Sequence, residues 1–419
     1  MPESPTTVPS RGAVARLADP LELPRGGALP NRIVKSAMSE QLADRTGGPT
    51  PELARLYARW GRGGAGLLVT GNVMVDRRHL GEPRNVVVED DRDLEGLRSW
   101  ATAAKAGGAR AWVQVNHPGR QAMWFAGGRR PVAPSAVAAD VPGYVTPREL
   151  TATEIEEIVA RFAATAAVVE RAGFDGVQLH GAHGYLISQF LSPRSNRRDD
   201  AWGGDALRRR RFVLEVLRAT RAAVSPGFPV GIKLNSADFQ RGGFSEEESA
   251  EVLVALAEEG IDLIEISGGT YEAPAMIGQA RQRESTRRRE AYFLEYAETV
   301  RERLPGVPLL VTGGFRGRNA MEEALASGAC DLVGVARPLA VAPDGPEELL
   351  AGRLDRLPAS GARLGVRTLD GAIDLHWHTR QLHRLGAGGD PRPGEPAWRT
   401  AVGVLVDNGW GALRRKRGG

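Results

Sequence analysis

Eight short apolar runs, each followed by a longer amphipathic stretch, constrain this chain more than any other feature. The runs are RIVKSAM (32–38), GLLVTGNV (66–73), RAWVQVNH (110–117), GVQLHG (176–181), PVGIKLNS (229–236), LIEISGG (263–269), PLLVTGG (308–314) and DLVGVAR (331–337). Each is rich in Val, Ile and Leu and bounded by Gly, Pro or a polar cluster, as expected of a strand buried on both faces. Between them lie helical patterns with recognisable ends. Thr50 precedes Pro51 as a cap, Thr151 and Glu154 are spaced as a capping box, and further helices start at Ser245 and stop at Gly173, Gly260 and Gly328. Strand–helix repeats in series predict a parallel α/β sheet. A count of eight favours closure into a (β/α)8 TIM barrel. An open doubly wound sheet is the runner-up, but it wants a Gly-rich phosphate fingerprint after the first strand, and RIVKSAMSEQL has none.

Composition narrows the function classes. No apolar run approaches membrane-spanning length, and the N-terminus MPESPTTVPSRGAVARL lacks the apolar core of a secretion signal. A cytoplasmic protein is the simplest expectation. The single cysteine, Cys330, leaves no material for an intramolecular disulfide framework or an all-cysteine iron–sulfur cluster. The pI is near 9.4, yet the net charge is only +4 and the arginines are scattered among acids, so neither a nucleic-acid nor a membrane partner is expected. Self-association is left open. Lysine is nearly absent: Lys35, Lys105, Lys233 and Lys416 are the only ones, which singles out Lys233 inside an apolar run. The rhythm of the repeats divides the chain into an N-terminal extension (1–24), the barrel (25–345) and a helical, finally basic tail (346–419).

Two long insertions, 118–150 and 184–204, interrupt the repeats. Both leave the C-terminal ends of strands, where barrel enzymes build their sites. At that mouth the strand ends carry Ser36 to Ser39, Gly71 and Asn72, Gln114 and His117, His180 and His183, Lys233 and Asn235, and finally Arg337. Gly313 and Gly314 after the seventh run allow a ligand close to the backbone, and loops seven and eight of barrels often hold phosphate, to which Arg337 would add a charge-assisted contact. The stretch QLHGAHGY places His180, His183 and Tyr185 together. A metal site, an acid/base site, a clamp for a carbonyl or nitro oxygen, and plain structural histidines all remain open for it. The glutamate of the helical zinc-protease pattern is missing, and no metal site is expected. Two neutral imidazoles could hold developing negative charge while Tyr185 delivers a proton. A bound flavin would supply the electron sink that side chains lack.

These segments together resemble the old yellow enzyme family, FMN-binding (β/α)8 oxidoreductases. The likeness runs through LPNRIVKSAMSE, QVNHPGRQ, AGFDGVQLHGAHGYLISQFLSPRSNRRDDAWGG, ISGGTYEAP and LLVTGGFRGRNAMEEALASGACDLVGVARPL, roughly residues 25 to 345. The resemblance implies FMN as cofactor and NADPH or NADH as reductant. It places Ser36, Ala37, Met38 and Ser39 along the flavin, with Ala37 where many members have proline and Ser39 where they have threonine or cysteine. Gly71 and Gln114 would touch the ring, Lys233 would stand near flavin N1 in place of an arginine, and Gly313, Gly314, Ala336 and Arg337 would grip the phosphate. His180 and His183 would hold the activating oxygen of a small-molecule substrate, with Tyr271 as a further substrate contact and Tyr185 as proton donor. The implied reaction is reduction of the C=C bond of an activated alkene. A flavin-dependent desaturase or reductase of a biosynthetic intermediate, or a metal-dependent barrel hydrolase, are the alternatives. Some relatives complete a neighbour's site with a C-terminal arginine, for which Arg414, Arg415 and Arg417 are the candidates.

Overall fold

The computed structural model describes residues 16–402, apart from 124–125, 127–129, 141–142, 270–292 and 366. An antiparallel hairpin comes first, β1 (Leu21–Glu22) with β2 (Ala28–Leu29). It straddles the boundary placed at residue 24. Eight parallel strands then close on themselves: β3 (Ile33–Lys35), β4 (Leu67–Met74), β6 (Arg110–Asn116), β9 (Gly176–Gly181), β10 (Val230–Asn235), β11 (Leu263–Ser267), β12 (Leu309–Thr312) and β13 (Leu332–Val335). Closure is made by β3, which pairs with β13 on one side and β4 on the other. The predicted (β/α)8 barrel is therefore the fold. A short strand, β5 (Val86–Val87), adds to the end of β4, and β7 (Val132–Ala133) pairs with β8 (Arg148–Glu149) inside the first insertion.

The helices begin where the sequence placed them. Thr50 caps Pro51–Gly61 by accepting from the Leu53 N–H, and capping boxes open Ala152–Arg171 at Thr151/Glu154 and Glu246–Glu258 at Ser245/Glu248. Their apolar stripes bury against the outer face of the barrel, where Leu53, Leu56, Ile155, Phe162, Leu253 and Leu256 are essentially inaccessible. Inside, Val34, Leu67, Val69, Trp112, Leu263, Leu310 and Leu332 fill the lower barrel together with Leu23 and Leu29 of the hairpin. Trp112 fits because Gly176 and Gly231 face it. A Cβ on either would lie 2.5 or 2.7 Å from its ring.

The two insertions are tied to one another by side-chain hydrogen bonds. Gln189 Nε2 donates to the carbonyls of Pro118 and Gly184, its Oε1 accepts from the Arg120 N–H, and Arg198 donates to the carbonyls of Pro134 and Leu150. The tail helix, Arg367–Gly386, lies against the helix Pro51–Gly61 and the turn Arg337–Ala340, at the same end of the barrel. No helix among the described residues is long and apolar enough to cross a membrane.

Candidate active site

Side chains alternate along a strand, so the positions two residues beyond the apolar plug also point inward. There the interior turns polar. Gln114 Nε2 donates to Gln178 Oε1 (2.7 Å), Gln178 Nε2 donates to Glu265 Oε2 (2.7 Å), and Lys233 Nζ pairs with Glu265 Oε1 (3.0 Å). Ser36 Oγ and Thr312 Oγ1 share a hydrogen bond of 2.7 Å beside them. Burial alone would raise the Glu265 carboxyl, but Lys233, Thr312 and Gln178 outweigh it and hold the group below the usual range. An isolated buried charge would be costly, and this chain of amides and the ammonium is what makes the carboxylate tolerable.

Above this floor opens a cavity lined by Ala37, Met38, Ser39, Asn72, Glu82, Gln114, His180, His183, Tyr185, Lys233, Ser267, Phe293, Thr312, Gly313, Ala336 and Arg337. The end of β9 sets the geometry of its histidines and tyrosine. The His180 ring lies 5.2 Å from that of His183 and 4.8 Å from that of Tyr185, centroid to centroid, edge-on in both cases. His183 adopts a left-handed backbone conformation (φ 60°), rare for a residue with a side chain. It is held there from three sides: its N–H donates to Asn235 Oδ1 (3.1 Å), its carbonyl accepts from Gln121 Nε2 (2.9 Å), and its Nε2 shares a hydrogen with Ser267 Oγ (2.9 Å). Strain maintained by so many contacts is typical of a functional position. Burial, reinforced by Lys233, drives both imidazoles far below their normal range, so both are neutral. His180 Nδ1 accepts from the Ala182 N–H (3.3 Å), which places its proton on Nε2. Asn72 Nδ2 contacts the Tyr185 hydroxyl at 3.4 Å.

Most of the residues singled out in the sequence thus line one cavity, but five do not: Ser36, Gly71, His117, Asn235 and Gly314. Ser36 is buried on Thr312. Gly314 follows the lining residue Gly313, both with backbones open only to glycine (φ 91° and 132°). Gly71 faces a buried network instead: its N–H donates to Glu40 Oε1 (2.8 Å), which also accepts from the Tyr57 hydroxyl, and a Cβ there would lie 2.2 Å from both Glu40 Oε2 and the Met38 carbonyl. Tyr271 and Arg414, Arg415 and Arg417 lie outside the described residues. Arg337 reaches the cavity but is already engaged, its Nη1 3.3 Å from Asp374 Oδ2 of the tail helix.

Sequence reasoning missed other parts. Glu82 lines the cavity, bonded to the Ser39 hydroxyl, and burial pushes its carboxyl up. Gln178 and Glu265 were legible in principle, as polar residues spaced by two from Gly176 and Leu263 inside apolar runs. Lys35 is as buried as Lys233 but faces outward. It donates to the Val69 carbonyl (2.8 Å) and Tyr57 (3.2 Å) and lies 4.4 Å from the Trp60 ring centre; burial lowers it to about 8. The tail helix adds Gly371, Leu375, His378, Thr379 and Leu382 to the wall.

One further cluster, Asp76, His79 and His117, brings three buried ligand-type groups within 4.8 Å of one another. Arg78 spans both oxygens of Asp76 at 2.6–3.0 Å. His117 Nδ1 accepts from the Gly119 N–H (3.1 Å), which leaves its proton on Nε2, the nitrogen a metal would need. The Arg78 guanidinium occupies both Asp76 oxygens that a cation would have to share, and His117 Nε2 has no hydrogen-bond partner among the described residues.

Comparison with known proteins places this cavity in context. A model of the "NADH:flavin oxidoreductase / NADH oxidase family" matches residues 16–356. An NADH-dependent flavin oxidoreductase of Hypocrea jecorina is 39% identical over 79% of this chain and 88% of its own length. Another from a Neonectria species is 40% identical over 85% of this chain, and the match spans only 49% of that longer relative. Among solved structures, morphinone reductase superposes with a TM-score of 0.70 at 26% identity, covering 84% of this chain and 93% of that one. An old yellow enzyme homologue of Zymomonas mobilis shares the fold with a TM-score of 0.71 at 24% identity, covering 82% and 95%.

Proposed function

The chain belongs to the NADH:flavin oxidoreductase / NADH oxidase family, and from that premise we propose that it reduces the C=C bond of an activated alkene, with FMN as cofactor and NADH or NADPH as electron source. Its relatives are named as NADH-dependent flavin oxidoreductases, and one morphinone reductase structure holds a tetrahydro form of NAD. The residues fit FMN. The floor offers an amide and an ammonium to the polar edge of a flat ring, Gly313 leaves its backbone open to a phosphate, and Arg337 supplies a cation beside it. Asn72 Oδ1, buried on the same wall, has no partner among the described residues and awaits a donor.

Gln114, Lys233, Gly313 and Arg337 are the residues that would hold FMN, and the chemistry it would supply there is hydride relay between a nicotinamide and an electron-poor carbon. The protein's own groups do the rest. The neutral pair His180 and His183 carries the proposal, because two uncharged N–H donors suit a carbonyl or nitro oxygen that gains charge only during reaction. Ser267 and the Asn235 side chain keep His183 in place for that task. Tyr185 delivers the proton to the carbon next to the activating group, and Lys233 offsets negative charge that accumulates over the floor. Glu82 adds a hydrogen-bonding group at the Ser39 side of the cavity.

The decisive test separates the two half-reactions in Tyr185→Phe, which keeps the ring and its packing. Stopped-flow reduction of the flavin by NADH should stay within a few-fold of the parent. Reoxidation by an enone should slow by roughly 10²–10⁴-fold, the usual contribution of a general acid. Equal slowing of both would assign Tyr185 to the framework of the site and sink its role as donor.

A further inference from the structure

The tail helix contributes to the ligand cavity although it lies beyond residue 356, where the shared family region ends. It is firmly docked. Trp377 is fully buried and donates from Nε1 to the Glu395 carbonyl (2.9 Å), while the Glu395 carboxylate holds Arg380 and Arg384 at 2.8 and 2.7 Å. Arg55 Nε donates to the Gly386 carbonyl (2.8 Å), and His383 Nε2 reaches the Glu40 carbonyl (2.9 Å). Docking in this way brings Asp374 against Arg337. The Asp374 carboxylate accepts from Arg337 through Oδ2 and from the Ala362 N–H through Oδ1 (3.2 Å), and its backbone carbonyl contacts His378 Nδ1 (2.7 Å). The side chain of Asp374 is about one-quarter exposed, so its charge is only partly screened.

We propose that Asp374 is a specificity-determining residue for the phosphate end of this cavity: a tail carboxylate that shares Arg337 with the ligand phosphate and loosens its hold. The inference rests on FMN occupying the cavity. Arg337 is the cation lining that end, and Asp374 neutralises it before any ligand arrives. A phosphate that takes the guanidinium must stand near a second anion, and it must draw Arg337 away from the contact that ties the tail helix to the turn Arg337–Ala340. Phosphate binding is therefore coupled to tail docking, whereas a flavin without phosphate leaves the Arg337–Asp374 pair intact.

The test measures flavin fluorescence quenching as FMN or riboflavin is titrated into the full-length chain stripped of flavin. Asp374→Asn keeps the Oδ1 acceptor for Ala362 and removes the charge together with the Oδ2 acceptor that engages Arg337. It should bind FMN about five- to tenfold more tightly than the parent, the scale of one partly screened charge at close range, and riboflavin unchanged. In the parent, amide exchange across residues 370–378 should be faster with FMN than with saturating riboflavin, an observation that needs no variant to fold. Equal changes for both flavins, weaker FMN binding, or exchange indifferent to the phosphate would each overturn the proposal while leaving the FMN reading intact. A parent chain that binds neither flavin would remove both.

Discussion

Replacing Lys233 with Met exposes the electrostatics of the floor. The Lys233–Glu265 pair is 3.0 Å long, with side chains 6% and 0% exposed, so almost no solvent screens it. Removing one partner of such a pair typically costs about 3–5 kcal/mol, because the other charge is left buried. Gln178 still donates to Glu265 at 2.7 Å, which points to the low end, about 3 kcal/mol. The sign of the pH dependence follows. In the parent, the Glu265 carboxyl lies below its ordinary value, so its contribution is complete above the unfolded-state range and is lost as pH falls through the folded value. In the variant, burial acts without Lys233 and raises the carboxyl instead. The folded state then takes up a proton more readily than the unfolded chain, and the stability deficit shrinks as pH is lowered. Urea unfolding of flavin-free parent and Lys233→Met at neutral and mildly acid pH measures this. The double variant Lys233→Met/Glu265→Gln should lose less than the two single changes added. Flavin loaded into Lys233→Met should also be harder to reduce, by about 30 mV for a loss of about 1.4 kcal/mol, since Glu265 already offsets part of the lysine's field. A deficit that ignores pH, strict additivity in the double variant, or an unchanged or raised potential would refute the reasoning.

His180→Ala or His183→Ala should weaken binding of a phenol, whose oxygen imitates the activated group, by about 1.5–3 kcal/mol per lost bond, measured by the charge-transfer band or by calorimetry. Because both imidazoles are neutral, phenol affinity in the parent should show no histidine titration between about pH 5 and 8; such a step would contradict the assignment of neutral donors. Gly71→Ala should destabilise the fold by about 1–3 kcal/mol in thermal or chemical unfolding, since its Cβ must displace Glu40 or the Met38 backbone. A neutral result would mean that the Glu40–Tyr57 network yields easily.

The eight runs of Val, Ile and Leu determined the barrel, since a strand covered on both faces needs continuous apolar sequence and eight strand–helix units in series can close a sheet. The caps at Thr50, Thr151 and Ser245 were equally legible, because capping uses residues three or four apart. So was the clustering of His180, His183 and Tyr185, which lie within six residues of chain. Strand ends fall short of the apolar runs: RIVKSAM extends to Met38, but the strand ends at Lys35, after which Ser36 bonds to Thr312 and Ala37, Met38 and Ser39 line the cavity. What the sequence did not carry are pairings that exist only once the barrel has closed. Gln178 meets Glu265 from 87 positions away, and His383 meets the Glu40 carbonyl from 343. Lys233 was visible as an odd lysine in an apolar run, yet its charge balance depends on Glu265 from the neighbouring strand. Arg337 was expected as a phosphate contact, yet the partner it has here, Asp374, comes from the tail, which no local period places over the cavity. Local propensity acts along the chain, whereas the charge that each of these groups feels is set by side chains that closure and tail docking bring within about 3 Å.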